Sequence, residues 1–146
     1  MAASHADVIL PFIEEVWNAG NFSNLDKYVH PSYSVDGDHV GIDWVRKNVR
    51  SFRLGFPDMR VDVDQLIEDT TGAALLLRIR GTHLGEWKGW PPTGKTVDYR
   101  EAAFWTVTDG KLLSGRFVAD TLSLRIQVGV IPATAWQAEN TPDQAT

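Results

Sequence analysis

The sequence predicts an α+β domain built on a cone-shaped, strongly curved antiparallel sheet, with N-terminal helices closing one end of a pocket. Three observations carry this. From Val8 to about Leu54 the apolar side chains recur at spacings of three and four, the period of a helix face. After Phe56-Pro57-Asp58 the period drops to two, the period of a half-buried strand. Asp109-Gly110 then stands between two alternating runs, a strong local signal for a β-hairpin. Helices first and strands afterwards is the α+β order, with helices gathered on one face of the sheet.

The first helix shows Val8, Ile9, Phe12, Ile13, Val16 and Trp17 on one face. Pro11 has no N–H to give and is tolerated only near a helix start, which favours Asp7 as N-cap, with Ser4 as the rival and a kink at Pro11. Gly20 is its stop. Residues 21–29 read as a short second helix capped by Ser23, ended by His30-Pro31. Residues 32–39 read as a polar loop or short strand around Asp36-Gly37. A third helix spans about Ile42 to Leu54, with Val45, Val49 and Phe52 as its stripe and Gly55 as its stop.

Met59, Val61, Val63 and Gln65 alternate with Arg60, Asp62 and Asp64 in the first expected strand. Ala73 to His83 is the second, with Leu75, Leu77 and Ile79 opposed to Leu76, Arg78 and Arg80. A loop from Leu84 to Lys95 follows, then strands over 96–108 and 111–121. Residues 122–130 read as a terminal helix or a strand extension. Residues 1–132 are expected to form the domain and 133–146 a polar tail, with Trp136 as a candidate anchor.

The chain has 146 residues, enough to bury roughly 68% of the surface its unfolded form exposes. Six Trp, six Phe and three Tyr are a generous aromatic load for this length, open to use in the core or as the lining of a flat apolar cavity. The net charge of −5 argues against a nucleic-acid partner, which requires a basic face. Without cysteine there is no disulfide, no thiolate nucleophile and no Cys-ligated zinc. No HExxH spacing, GxSxG elbow, GxGxxG turn or Walker loop is present, so neither a metal nor a nucleotide cofactor is expected. No stretch reads as a signal peptide or membrane span, and a cytoplasmic location is the expectation.

If Asp109 and Gly110 alone form the hairpin loop, Thr108 pairs with Lys111. Asp120 then lies opposite Tyr99, Val118 opposite Glu101 and Arg116 opposite Ala103. Paired residues share a face, which groups Tyr99, Glu101, Trp105, Arg116 and Asp120. A bulge would shift the set by one residue. The pattern leaves open which face is inner, and an ordinary Glu101–Arg116 ion pair on the outer face is the plain structural alternative. Asp120 sits among Phe117, Val118, Ala119 and Leu122. A carboxylate in apolar surroundings has its charged form disfavoured and its pKa raised, so it exchanges protons near neutral pH. His39 lies before the third helix at a potential pocket rim. His83 shares parity with Leu77 and Ile79. Both are candidate hydrogen-bond partners for a developing enolate. Tyr33, Trp44, Tyr99 and Trp105 are candidate walls. His5 and His30 read as surface or helix-end residues.

The order Phe56-Pro57-Asp58-Met59-Arg60, Gly81-Thr82-His83-Leu84-Gly85-Glu86, Pro92-Thr93-Gly94-Lys95, then Asp109-Gly110-Lys111 and Asp120 through Gly129, resembles the SnoaL-like polyketide cyclases over most of residues 8–131. The resemblance implies the cone-shaped α+β barrel of the nuclear-transport-factor-like superfamily, homodimers or homotetramers, and no cofactor. It also implies an intramolecular aldol-type ring closure, or a related isomerisation, of a small apolar or polycyclic carbonyl substrate. In those cyclases the carboxylate of a D-x-L-x-L-type segment is the acid–base residue, a role that carries over to Asp120. The chain departs from the pattern after its Asp-Gly-Lys turn. It reads Ser114-Gly115-Arg116 where family members often have a His and a Trp.

Two other readings stand beside this one. Epoxide hydrolysis or hydroxylase-type chemistry would use Asp120, Arg116 and Glu101 together, with Arg116 between two carboxylates inside the cavity. A non-enzymatic binding protein would show an exposed Asp120 and a cavity without polar groups.

Overall fold

The computed structural model describes residues 3–134. Trp136 and nearly all of the tail assigned from residue 133 lie outside the described residues. The elements are α1 (Ala6–Phe12), a π-helical segment (Ile13–Asn18), α2 (Leu25–Tyr28), β1 (Val29–Val35), β2 (Asp38–His39), α3 (Gly41–Gly55), β3 (Arg60–Glu68), β4 (Gly72–Thr82), β5 (Thr96–Thr108), β6 (Lys111–Ala119) and α4 (Thr121–Val128). They form the expected α+β fold. One six-stranded sheet runs in the order β2-β1-β6-β5-β4-β3, antiparallel except where β1 runs parallel to β6.

The N-terminal half differs from the sequence reading in three places. His5, not Asp7, occupies the N-cap position of α1, and Asp7 lies in the first turn, where its charge favours the helix N-terminus. Pro11 removes one rung of the ladder, and from Ile13 the helix widens so that Ala19 N–H donates to the Glu14 carbonyl at 3.0 Å. Ser23 does not cap the second helix. Its N–H and hydroxyl both donate to Asn21 Oδ1, at 3.0 and 2.6 Å, and α2 is a single turn after Asn24. Residues 29–39 form a hairpin, where a helix end followed by a polar loop or short strand was expected. Asp36 and Gly37 turn it with φ of 50° and 93°. Pro31 falls in the stretch where β1 and β6 lose register between Val29 and Ser34, the kind of place where a missing donor is tolerated. Among the described residues β1 and β2 thus join the four strands expected after Pro57.

The concave face of the sheet buries Val61, Leu75, Leu77, Ile79, Val97, Tyr99, Ala103 and Trp105 against Ile9, Phe12, Ile13 and Val16 from the first helix and Val45 and Val49 from α3. Asn18 clips the π-helical segment to β3: its Nδ2 donates to the Val61 carbonyl at 3.0 Å and its Oδ1 accepts from Val61 N–H at 2.7 Å. The convex face is charged, with Arg60 and Arg80 on Asp62, Arg78 on Asp98 and Arg100 on Asp64. Two bulges shape the sheet. Asp64 is the extra residue in β3, which ends the alternation there and leaves Gln65 exposed. Leu113 is the extra residue in β6.

The motifs around Phe56 and Gly81 form one structural lock. Asp58 accepts from Thr82 N–H and from its hydroxyl, both at 2.7 Å. Phe56 stacks on His83 with centroids 5.3 Å apart. Leu84 and Gly85 N–H groups both donate to the Gly55 carbonyl, and a Cβ on Gly85 would overlap the Leu54 carbonyl oxygen. Asp58→Ala removes both charge-assisted bonds. We expect it to lower unfolding free energy by about 1–2 kcal/mol, read as a lower urea midpoint at unchanged m-value.

Candidate active site

A cavity of about 190 Å³ lies between the concave sheet and the helices. The π-helical segment contributes Ile13 and Trp17, and α3 contributes Trp44, Asn48 and Phe52. These three α3 residues stand four apart and so form one line along the helix. Met59, Val61, Leu77 and Ile79 form the apolar floor, and Tyr99, Glu101, Trp105 and Phe117 come from β5 and β6.

Glu101 is the carboxylate of this lining. Its cross-strand partners are Leu77 on β4 and Ala119 on β6, so neither neighbouring strand offers it a donor. Burial alone pushes its carboxyl from an ordinary 4.5 up to about 7. Tyr99 precedes it by two residues on the same strand face. Burial, and then the nearby Glu101 charge, push the Tyr99 phenol well above its ordinary value, so it remains a protonated donor at neutral pH.

Tyr33 stands behind the wall rather than in it. Trp105 Nε1–H donates to Tyr33 Oη at 3.1 Å, and burial, partly offset by that bond, raises the Tyr33 phenol to about 12. Gly115 lies opposite Trp105, and a Cβ there would collide with Tyr33 Oη and sit 2.7 Å from Phe117 Cζ. Within Ser114-Gly115-Arg116 the glycine therefore has a steric cause: the Tyr33 hydroxyl and the Phe117 ring occupy the space a side chain at 115 would need.

The simple hairpin register is corrected by the bulge. Thr108 and Val107 pair with Lys111 and Leu112, but from Thr106 the partner on β6 is one residue further along: Trp105 faces Gly115, Ala103 faces Phe117 and Glu101 faces Ala119. A one-residue slip exchanges the faces. Tyr99, Glu101 and Trp105 point into the cavity, whereas Arg116 lies on the outer face opposite Phe104 and makes no pair with Glu101. Asp120 is exposed and caps α4, its carboxylate accepting from Ser123 N–H at 3.1 Å and Ser123 Oγ at 2.7 Å. His39 is exposed on β2. His83 is fully buried, but against Phe56 and Thr93 rather than in the cavity lining; its Nδ1 lies 3.0 Å from Thr93 Oγ1. Trp44 lines the mouth, 37% exposed. The reading from sequence did not include Trp17, Asn48, Phe52 and Phe117 among the site residues. The four-residue spacing of Trp44, Asn48 and Phe52 held a signal for two of them. Among the described residues no three His, Asp or Glu side chains converge as a metal cage, and no helix is long and apolar enough to cross a membrane.

Residues 7–128 match the family model for SnoaL-like polyketide cyclases. The chain belongs to that family. A nogalonic acid methyl ester cyclase from Streptomyces nogalater is 24% identical over 125 residues, covering 77% of this chain and 89% of that protein. TsrD from Streptomyces laurentii superimposes with a TM-score of 0.80 at 21% identity, over 90% of this chain and 99% of its own. A SnoaL-like polyketide cyclase from Agrobacterium tumefaciens does so with 0.77 at 22% identity, over 88% and 100%. These structural likenesses establish the shared fold.

For this SnoaL-like chain the half-buried Glu101 has a measurable consequence. A carboxyl whose folded pKa exceeds its unfolded value binds more protons in the native state, so native stability falls as pH rises from about 4.5 to about 7 and then levels off. Glu101→Gln removes that contribution. Thermal melts are expected to show a smaller loss of Tm between pH 5 and pH 7.5 in the variant than in the wild type.

Proposed function

We propose that this protein is an acid–base enzyme acting on a carbonyl compound, with Glu101 rather than Asp120 as the proton-transferring carboxylate. The observation that carries the reading is an unpaired carboxylate in an aromatic cavity, with a pKa raised to about 7 by burial. A group poised there is populated in both forms at neutral pH, so it serves as base and then as acid. Glu101 takes a proton from the carbon next to the carbonyl. The C–H electron pair forms the enolate double bond, and the carbonyl oxygen takes the negative charge. Tyr99 and Asn48 bring a hydroxyl and a carboxamide to the same lining as donors for that oxygen. The proton on Glu101 then returns to another carbon, an isomerisation. In an aldol closure, the enolate carbon instead bonds to a second carbonyl carbon and the proton goes to that carbonyl's oxygen.

The cyclase name of the Streptomyces nogalater relative supports carbonyl chemistry of this class. Arg116 on the outer face speaks against epoxide opening, which needed that cation between two carboxylates inside the cavity. Exposed Asp120 would suit a passive binding protein, but Glu101 makes the cavity a poor one: an unpaired carboxylate in an apolar lining costs stability and adds nothing to apolar sequestration.

Turnover of a cognate carbonyl substrate is expected to fall about 10²–10⁴-fold in Glu101→Gln. Asp120→Asn, which preserves a good N-cap side chain, is expected to stay within about threefold of wild type. In the wild type, kcat/KM should rise with pH and reach a plateau above about 7, the form expected of a base in the free enzyme. Full activity in Glu101→Gln, or loss of activity confined to Asp120→Asn, would return the role to Asp120.

A further inference from the structure

We infer that the cavity takes a neutral, planar substrate of no more than two fused rings, excluding carboxylate-bearing and larger polycyclic compounds from full enclosure. The inference rests on Glu101 as the acid–base group and adds what that group is offered.

Size sets the first limit. A dry cavity of roughly 150 Å³ holds one benzene ring, and typical drug-sized ligands occupy roughly 300 Å³ or more. At about 190 Å³ this cavity accommodates a second fused ring and little else. Its walls are braced against retreat. Trp105 is held by its bond to Tyr33 and by edge contacts with Phe12 at 5.9 Å and Phe117 at 5.7 Å. Trp17 and Phe52 brace each other at 5.9 Å. Behind Phe117 the Gly115 position is already filled by the Tyr33 hydroxyl and the Phe117 ring. Flat aromatic walls favour a flat ligand, through offset and edge contacts.

Charge sets the second. The lining contains no Lys, Arg or His. Arg60, Arg78, Arg80 and Arg100 pair with Asp62, Asp64 and Asp98 of the convex face, and Arg60 also with Glu14 of the π-helical segment. A ligand carboxylate would thus be desolvated beside Glu101 with no counter-ion, which is costly for both groups. The same apolar enclosure accepts a ketone or amide readily, since Tyr99 and Asn48 supply donors.

Isosteric probes separate these limits from the chemistry. Binding is read from quenching of tryptophan fluorescence at pH 8, and acid–base action from exchange of the α-protons of 2-tetralone in deuterated buffer by NMR. 2-Naphthamide is expected to bind at least tenfold more tightly than 2-naphthoate and than anthracene-2-carboxamide, a gap of about 1.4 kcal/mol or more. Glu101→Gln should narrow the naphthoate gap, and Phe117→Ala should narrow the anthracene gap. Equal binding of naphthamide and naphthoate would overturn the charge limit. Equal binding of the two-ring and three-ring amides, or a Phe117→Ala variant that folds but leaves the anthracene gap unchanged, would overturn the size limit. Selective binding without α-proton exchange would sustain the inference about the cavity while removing the acid–base role of Glu101. Exchange with a three-ring ketone as fast as with 2-tetralone would do the reverse.

Discussion

On β6 a single extra residue, Leu113, decides which side chains meet. Up to Val107 and Leu112 the hairpin pairs as a two-residue turn dictates; beyond it every partner is displaced by one. Because side chains alternate strictly along a strand, this displacement turns Gly115, Phe117 and Ala119 toward the cavity and sends Arg116 and Val118 outward. Glu101 therefore faces Ala119, and Arg116, which the simple register would have placed diagonally across on the same face, lies on the other side of the sheet. The absence of Arg116 from the interior is the reason the carboxylate is unpaired, and its lack of a partner is the reason burial alone governs its proton affinity. The place of Phe117 in the lining and the lack of a basic partner for Glu101 both follow from that register.

The family motifs divide into two kinds once their contacts are known. Phe56, Asp58, Thr82, His83 and Thr93 bond and stack with one another and fasten the loop after β4 to the end of α3. Asp120 opens α4 as its N-cap. These residues hold the scaffold. The groups facing the cavity lie instead at positions that no short motif marks: Asn48 and Phe52 on α3, Tyr99 and Glu101 on β5, Phe117 on β6. The family motifs thus lie in the frame, while beside the cavity the Tyr33 hydroxyl and the Phe117 ring occupy the space a side chain at Gly115 would need.

Stability and the chemistry proposed for Glu101 pull against each other. A carboxyl that prefers its proton up to about pH 7 is a cost to the ionised native state that the rest of the core must offset. The offset comes from a nearly continuous apolar layer, in which Ile9, Val16, Val49, Ala103 and Leu112 have no exposure, and from aromatic edge contacts around Trp105 and Trp87. The tension is local, because Leu77 and Ala119 on either side carry no polar group that could relax it.

Much of the fold was legible in the residues themselves. The period of α3, the alternation of β4 and the turn at Asp109-Gly110 are local properties, written in neighbours a few positions apart, and the elements they predict are present within a residue or two. The helical candidate for the segment after Asp120 is the one that forms, begun by that residue's own side chain. β1 was legible only as a short-strand alternative within residues 32–39, because His30, Pro31, Ser32 and Ser34 break the alternation and pairing with β6 makes the strand. The membership of the site was less legible. Glu101, Tyr99, Trp105 and Trp44 were visible as candidates, but which carboxylate lies inside depended on one bulge, and neither Leu113 nor its neighbours announce it. Sequence alone determined the helices, the strand alternation and the absence of thiol chemistry, since each follows from residue type and spacing. Tertiary structure alone decided that Glu101 faces the cavity and Asp120 faces solvent, because register is a property of two strands together and a slip of one residue reverses the face of every side chain beyond it.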